Sequence, residues 1–399
     1  MNQINKFYLA SFLKNQIYFV PIMILFFQDI GLNYANIFWI FTIASIFSFI
    51  IEIPTGVFAD KYGNRKSIIL SKFLIFVSFI IFGLANNFII LLVANLIYEL
   101  GKSFRSGTET AFIFNYLSQD KNHPSYTKIK INQKFYARIS ESIAALIGGF
   151  VAYRLGFNVV FFIAAVPAFI NFIQTLSWEK IKTDEENKEN KISLRENWKF
   201  IKIAFSEIKN NKIVLNIILN IAFFSASFSA LEKFVQPYMK SAGVELQYFG
   251  VFYSAFLIII ALIVKASSRL EDKWSAEKIM NYSGFIAFLA LIPLSLGGNS
   301  VLMVGLFFIV LLLENFRSPV ANNLFHEQVP NQKRATMGSI LELFKSLNKL
   351  WILPFIGYLA DIYSMKVAIL IISILILINA FIFLVPTKKK DNQINLQAN

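Results

Sequence analysis

The chain has no cysteine. That excludes disulfides, thiolate metal sites and cysteine nucleophiles, and it leaves the redox compartment unmarked. Only two histidines occur, His123 and His326, both in or near polar loops. No Gly-x4-Gly-Lys-Ser/Thr loop is present to cradle a nucleotide phosphate. Charge is scarce, since 16% of the 399 residues are Asp, Glu, Lys or Arg, and Trp178 to Lys212 is the only long polar stretch. Short alternating segments of the kind that build a membrane β-barrel are lacking too. No small-residue cleavage site follows the first apolar segment, so Lys6 is read as preceding a retained helix rather than a removed leader.

What fills the chain instead is apolar: 56% of residues are hydrophobic and 16% aromatic, with 44 Phe, and the mean hydropathy is +0.57. Soluble domains carry roughly 45–50% apolar residues. About 20 apolar residues make a helix that crosses a bilayer, and twelve runs of that size follow one another. They cover approximately 7–28, 36–58, 67–86, 88–108, 134–155, 158–177, 214–237, 247–267, 278–296, 301–320, 337–358 and 366–386. The expected fold is an all-α membrane protein of twelve transmembrane helices. Its expected division is a six-helix half (1–177), a linker (178–212), a second six-helix half (213–386) and a tail (387–399).

The bases are unevenly distributed. Lys61, Arg65, Lys66, Lys121, Lys128, Lys130, the linker lysines, Lys273, Lys333, Arg334 and Lys388 to Lys390 fall on one side, against Arg154, Lys240 and Lys366 on the other. Lys and Arg stay cytoplasmic, so both termini and the linker are expected in the cytoplasm of a cell-membrane protein. The net charge of +14 is thereby explained without nucleic acid. Within the linker, Ser193 and Glu196 have capping-box spacing. Trp198, Ile201, Phe205 and Ile208 follow at helical spacing among lysines, as in an amphipathic helix on the membrane surface or a packed linker helix.

Three matches recur at one offset of 212 residues: Gly31 with Gly243, Asp60-Lys61 with Asp272-Lys273, and Phe104-Arg105-Ser106 with Phe316-Arg317-Ser318. Gly149 and Gly357 form a looser pair. A common offset near half the chain implies two six-span repeats of the same orientation, a secondary-transporter architecture.

The turn Gly56 to Lys66 carries the resemblance that follows. Gly56, Asp60, Lys61, Gly63, Arg65 and Lys66 are similar to the loop between spans two and three of the major facilitator superfamily, with Asn64 departing from the usual base. Glu52 to Thr55 and the run Phe7 to Gln28 resemble a bacterial branch of that family. The resemblance implies that Gly56, Asp60, Gly63, Arg65 and Lys66 latch the halves together on the cytoplasmic side, with Glu109 as a partner for Arg65. If it does not, these bases only hold the loop inside. Gly63 is expected at positive φ in a tight reversal. The Gly-Pro of span five and the span-four Arg common in the family's drug–proton antiporters are missing. Ala144-Ala145 precedes Gly148-Gly149, and Asn95 to Gly101 contains Glu99 but no Arg.

Ionisable residues inside spans are costly and mark a cavity or a partner. Spans three, six, nine and twelve, peripheral in that family's fold, are read as free of them. The cavity candidates are Lys14, Lys102, Arg138, Lys345 and Lys349, with Glu342 beside them. Glu99, Glu314 and Glu141 are the proton-coupling candidates. Several are spaced i, i+3 and equally suit neutralising pairs on one helix face. Glu232 and Lys233 lie toward the outer end of span seven. Pro21 and Pro354 are placed to kink their spans, and Gly148-Gly149 to admit close packing.

The reading is a secondary transporter moving a small molecule by alternating access, with protons as the drive and amphipathic efflux favoured over sugar or organic-anion transport. Its partners are the substrate, protons and the lipid bilayer. It is read as a monomer with no cofactor, metal or catalytic residue. A membrane-embedded enzyme and a non-transporting receptor on the same scaffold are the competing classes.

Overall fold

The structure, a computed structural model, describes residues 2–119, 124–181, 211–271, 274–297, 301–330 and 334–385. The linker helix expected around Ser193 to Ile208, the repeat pair Asp272-Lys273 and the tail lie outside the described residues. Among the described residues there is no strand.

The first group of helices is α1 (Gln3–Lys14), α2 (Met23–Asp29), α3 (Tyr34–Tyr62), α4 (Asn64–Leu84), α5 (Phe88–Arg105), α6 (Thr108–Ser118), α7 (Tyr126–Leu155) and α8 (Phe157–Leu176). The second is α9 (Lys212–Glu232), α10 (Val235–Ser241), α11 (Leu246–Glu271), α12 (Ala276–Leu296), α13 (Val301–Glu327), α14 (Arg334–Ile362) and α15 (Met365–Ile382). Short polar side chains start many of them. Asn2, Asn33, Asn87, Ser125, Asn211 and Ser364 each accept a hydrogen bond from a first-turn N–H of the helix that follows. Gly63, at φ 90°, ends α3 and reverses the chain into α4, as the turn requires.

Among the described residues eight segments are long and apolar enough to cross a membrane: α3, α4, α7, α8, α9 with α10, α12, α13 and α15. The other expected runs fall short for physical reasons. Span one is interrupted between Lys14 and Met23. α5 and α14 carry Glu99, Lys102 and Arg105, and Glu342, Lys345 and Lys349. In α11 only Leu246–Ile260 is apolar. Pro21 sits in the span-one break, whereas α14 runs unbroken through Pro354.

The 212-residue offset extends to backbone detail. The seven-residue half-helix α2 starts at 23 and α10 at 235, and each ends six residues later. The Ile22 N–H donates to Phe19 O, Ile30 N–H to Phe26 O and Leu32 N–H to Phe27 O. Phe234, Ala242 and Val244 make the matching bonds to Leu231, Tyr238 and Met239. Gly31 (φ 92°) and Gly243 (φ 79°) close both half-helices. Each group also has its own aromatic core: Phe19, Phe26 and Phe82 surround Phe161 at 4.6–5.3 Å between ring centroids, and Tyr238 meets Phe307 at 5.2 Å.

The groups face each other along two walls, α3 against α14 and α7 against α11. Glycine permits the second contact: a Cβ at Gly250 would strike the Ala145 carbonyl, and one at Gly149 would come within 2.7 Å of the Gly250 nitrogen.

Candidate functional site

Between the groups lies a cavity of about 670 Å3. Its walls come from the span-one break (Ile17, Phe19, Val20), from α3 (Phe41, Ser48, Glu52) and from α5 (Asn95, Tyr98, Glu99, Lys102). α9 adds Ser229 and Glu232, the span-seven break Lys233, and α14 Glu342, Lys345 and Lys349. Interrupted helices supply irregular backbone at membrane depth, which is tolerated where it lines a cavity.

One end of this cavity is closed by side chains that cap helices across the interface. α2 has no side-chain cap of its own. Gln236 of α10 supplies it, its Oε1 accepting from the Ile24 N–H at 2.7 Å, while its Nε2 donates to Val20 O at 2.8 Å. Asp361, at the end of α14, accepts from the Tyr34 N–H at 2.9 Å and the Ala35 N–H at 2.8 Å, the first turn of α3. A carboxylate there also meets the positive end of the helix dipole. Phe234 fills the space between, with centroids 5.3 Å from Tyr34 and from Phe38. Toward the other end, where the 61–66 loop lies, Glu52 and Glu342 are exposed.

Half of the charges on the wall are paired within one helix. Lys102 reaches Glu99 at 2.8 Å and Lys345 reaches Glu342 at 2.8 Å, the i, i+3 arrangement. Lys233 packs over the Phe41 ring at 4.2 Å, a cation–π contact between the groups. Lys349 makes no ion pair within 4 Å among the described residues, and it also borders a second cavity of about 290 Å3 with Ser225, Asn315 and Glu314. Glu314 stands 4.0 Å from Arg317, and its Oε2 makes no hydrogen bond. Arg317 is 1% exposed, stacks on Phe224 at 3.9 Å and hydrogen-bonds Asn220.

Several expectations are corrected. Lys14 does not line the main cavity but meets Glu109 at 3.5 Å. Arg138 and Glu141 pair with each other at 2.7 Å and line none of the cavities described. Glu109 is not the partner of Arg65: its carboxylate is held by Lys14, by Lys72 at 3.7 Å and by Arg105 at 3.8 Å. Arg65 donates instead to Trp178 O at 2.9 Å and Leu176 O at 2.5 Å, closing the end of α8. Span three is not free of charge, because Lys72 is buried in α4. Asp60, Gly56 and Lys66 are exposed. Glu52, Lys72, Gln236, Arg317 and Asp361 were not singled out as site residues. Asp361 and Gln236 carry a signal only in hindsight, as polar residues at the ends of spans.

A sequence profile of the Major Facilitator Superfamily matches residues 7–347. The uncharacterized MFS-type transporter YxaM of Bacillus subtilis (strain 168) is 20% identical over 95% of this chain and 94% of its own. The multidrug resistance protein MdtG of Klebsiella pneumoniae (strain 342) is 24% identical over 64% of this chain and 60% of its own. A crystal structure of the nucleoside transporter NupG, 15% identical, superposes with a TM-score of 0.77 over 96% of this chain and 98% of that one.

Proposed function

The chain belongs to the Major Facilitator Superfamily, and on that premise we propose that it is a secondary active transporter moving a small molecule across the cytoplasmic membrane by alternating access. The observation that carries this is the cavity between the two groups, capped shut at one end and exposed at the other. With the base-rich loops and both termini in the cytoplasm, the exposed end faces inward. The 61–66 loop then stands unlatched, with Asp60 exposed, and engages when the halves rock to close that end. The residues used are binding and gating groups; no catalytic role is assigned.

Efflux of an amphipathic compound is the reading we favour. A cavity of about 670 Å3 falls in the size range of drug-sized sites, and Phe19, Phe41, Phe49 and Tyr98 give it aromatic surface. One relative bears the name of a multidrug resistance protein. The unpaired Lys349 favours a second reading, an organic anion, whose acidic group it would meet.

For proton coupling Glu314 is the stronger candidate. Glu99 is neutralised by Lys102 on its own helix, whereas Glu314 keeps an oxygen without a hydrogen bond beside a cavity. Proteoliposomes under an imposed pH gradient test this. Glu314→Gln should abolish gradient-driven accumulation of a substrate found by screening, while leaving its binding within about threefold. Absence of flux across a broad panel of cations, anions and neutral amphiphiles would sink the transporter reading. Undiminished accumulation by both Glu314→Gln and Glu99→Gln would remove these carboxylates as proton carriers.

A further inference from the structure

On the far side of the span-one break is a separate, small cavity of about 50 Å3 enclosed by α1, α4, α5 and α8. Lys14, Lys72 and Arg105 all border it, and among the described residues Glu109 is the one carboxylate within 4 Å of them. Three cations against one acid leave a formal excess of two positive charges where Lys72 is only 2% exposed.

The ion pairs do not consume this excess. All three distances, 3.5, 3.7 and 3.8 Å, exceed the roughly 2.7–2.9 Å of a charge-assisted hydrogen bond. Among the described residues the Lys72 ammonium, which carries three donors, makes no hydrogen bond, and neither does Glu109 Oε1. Neighbouring groups are already committed. Asn171 donates to Ala10 O and Asn15 to Ser11 O, while the end carbonyls of α1, Phe12 and Leu13, accept from the Asn15 N–H. Apart from the Tyr98 phenol, the rest of the lining, including Leu13, Ile75, Phe79 and Ala168, is apolar. A buried ammonium left this way is costly. Water would satisfy its donors, whereas an anion would satisfy them and offset the charge as well.

We propose that this cavity is a binding site for a small inorganic anion of halide size, held by Lys72, Lys14 and Arg105. A water's share of liquid is about 30 Å3, so the space suits a compact ion rather than a metabolite. Ile17 and Tyr98 form part of both this cavity and the large one, so the anion is separated from the transport cavity by a wall of side chains. The proposal concerns occupancy of this site and does not depend on what the larger cavity carries.

Thermal unfolding of the purified full-length protein tests it, with sodium chloride replaced stepwise by sodium gluconate at constant ionic strength and pH. Tm should rise saturably with chloride, by about 2 °C at a tenfold excess over its dissociation constant. The rise should vanish in Lys72→Met, or in Arg105→Gln if the first variant does not fold, and persist in Lys349→Gln. Crystals soaked in bromide should show an anomalous peak between Lys72 and Arg105. A Tm that stays flat throughout the series would overturn the proposal. So would a rise that survives loss of Lys72 or Arg105, or one lost only in Lys349→Gln, which would put the anion in the large cavity.

Discussion

Replacing Asp361 by alanine removes two backbone hydrogen bonds and a favourable dipole contact from the first turn of α3. Helix caps are worth about 0.5–2 kcal/mol, and a charge at a helix end about 0.3–1 kcal/mol in exposed settings. Asn33 already caps α3 through the Asn36 N–H, and Asp361 is exposed, so the lower part of that range applies. We take about 1 kcal/mol, which changes an equilibrium about fivefold. The contact joins α14 to α3 only while this end is shut, so its loss should shift the population toward the state open there by that factor. The natural absence of cysteine makes the assay direct. A single cysteine at Ser229, on the cavity wall, is alkylated with a membrane-impermeant maleimide added from the side of the Gly31 and Gly243 turns. Asp361→Ala should label about five times faster, and Asp361→Asn, which keeps one acceptor, should fall between. Labelling within 1.5-fold of the parent in both, with normal membrane insertion, would refute the idea that these caps hold the end closed.

Gln236→Ala should act in the same direction and more strongly, because it strips a buried N–H and a carbonyl of partners at about 1–3 kcal/mol each. Equal or slower labelling than the Asp361 variant would count against it. Gly250→Leu should prevent α7 and α11 from approaching, since even a Cβ there meets the Ala145 carbonyl; we expect lost flux with persistent labelling from the same side, and intact flux would contradict the packing argument. Glu109→Gln leaves Lys14, Lys72 and Arg105 without their shared carboxylate. It should destabilise by about 3–5 kcal/mol, read as a fall in Tm in chloride-free buffer, and an unchanged Tm would mean the cluster is not energetically coupled.

What the sequence revealed and what it hid divide along physical lines. Hydrophobic length is written residue by residue, so the apolar runs were legible, and the turn glycines Gly31 and Gly243 recorded the repeat because few other residues tolerate their φ. The pairs Glu99–Lys102 and Glu342–Lys345 were legible for the same local reason, being three residues apart. Contacts with backbone leave no such trace. Arg65 was assigned a carboxylate because acids are visible in a sequence, yet its acceptors are the carbonyls of Leu176 and Trp178. Gln236 reads as an ordinary polar residue until its acceptor is seen to face a helix start 212 residues earlier. Lys72 is one base in an apolar run, and its partner Glu109 comes from a different helix.

The capping contacts all run one way. Gln236 stands 212 residues after Ile24, and at the 208-residue offset of the Gly149 and Gly357 pair Asp361 answers to Tyr153, so neither capping side chain has an equivalent in the earlier repeat. Two copies of α1–α8 placed face to face would set isoleucine against isoleucine, leaving the α2 start uncapped and the α3 start with only its own Asn33. The duplicated backbone is symmetric, but its side chains have divided the labour: one repeat offers helix-start N–H groups and the other reads them. Joining both in a single chain lets the closing contact be tuned on one side only, without imposing the same polar residue on its counterpart.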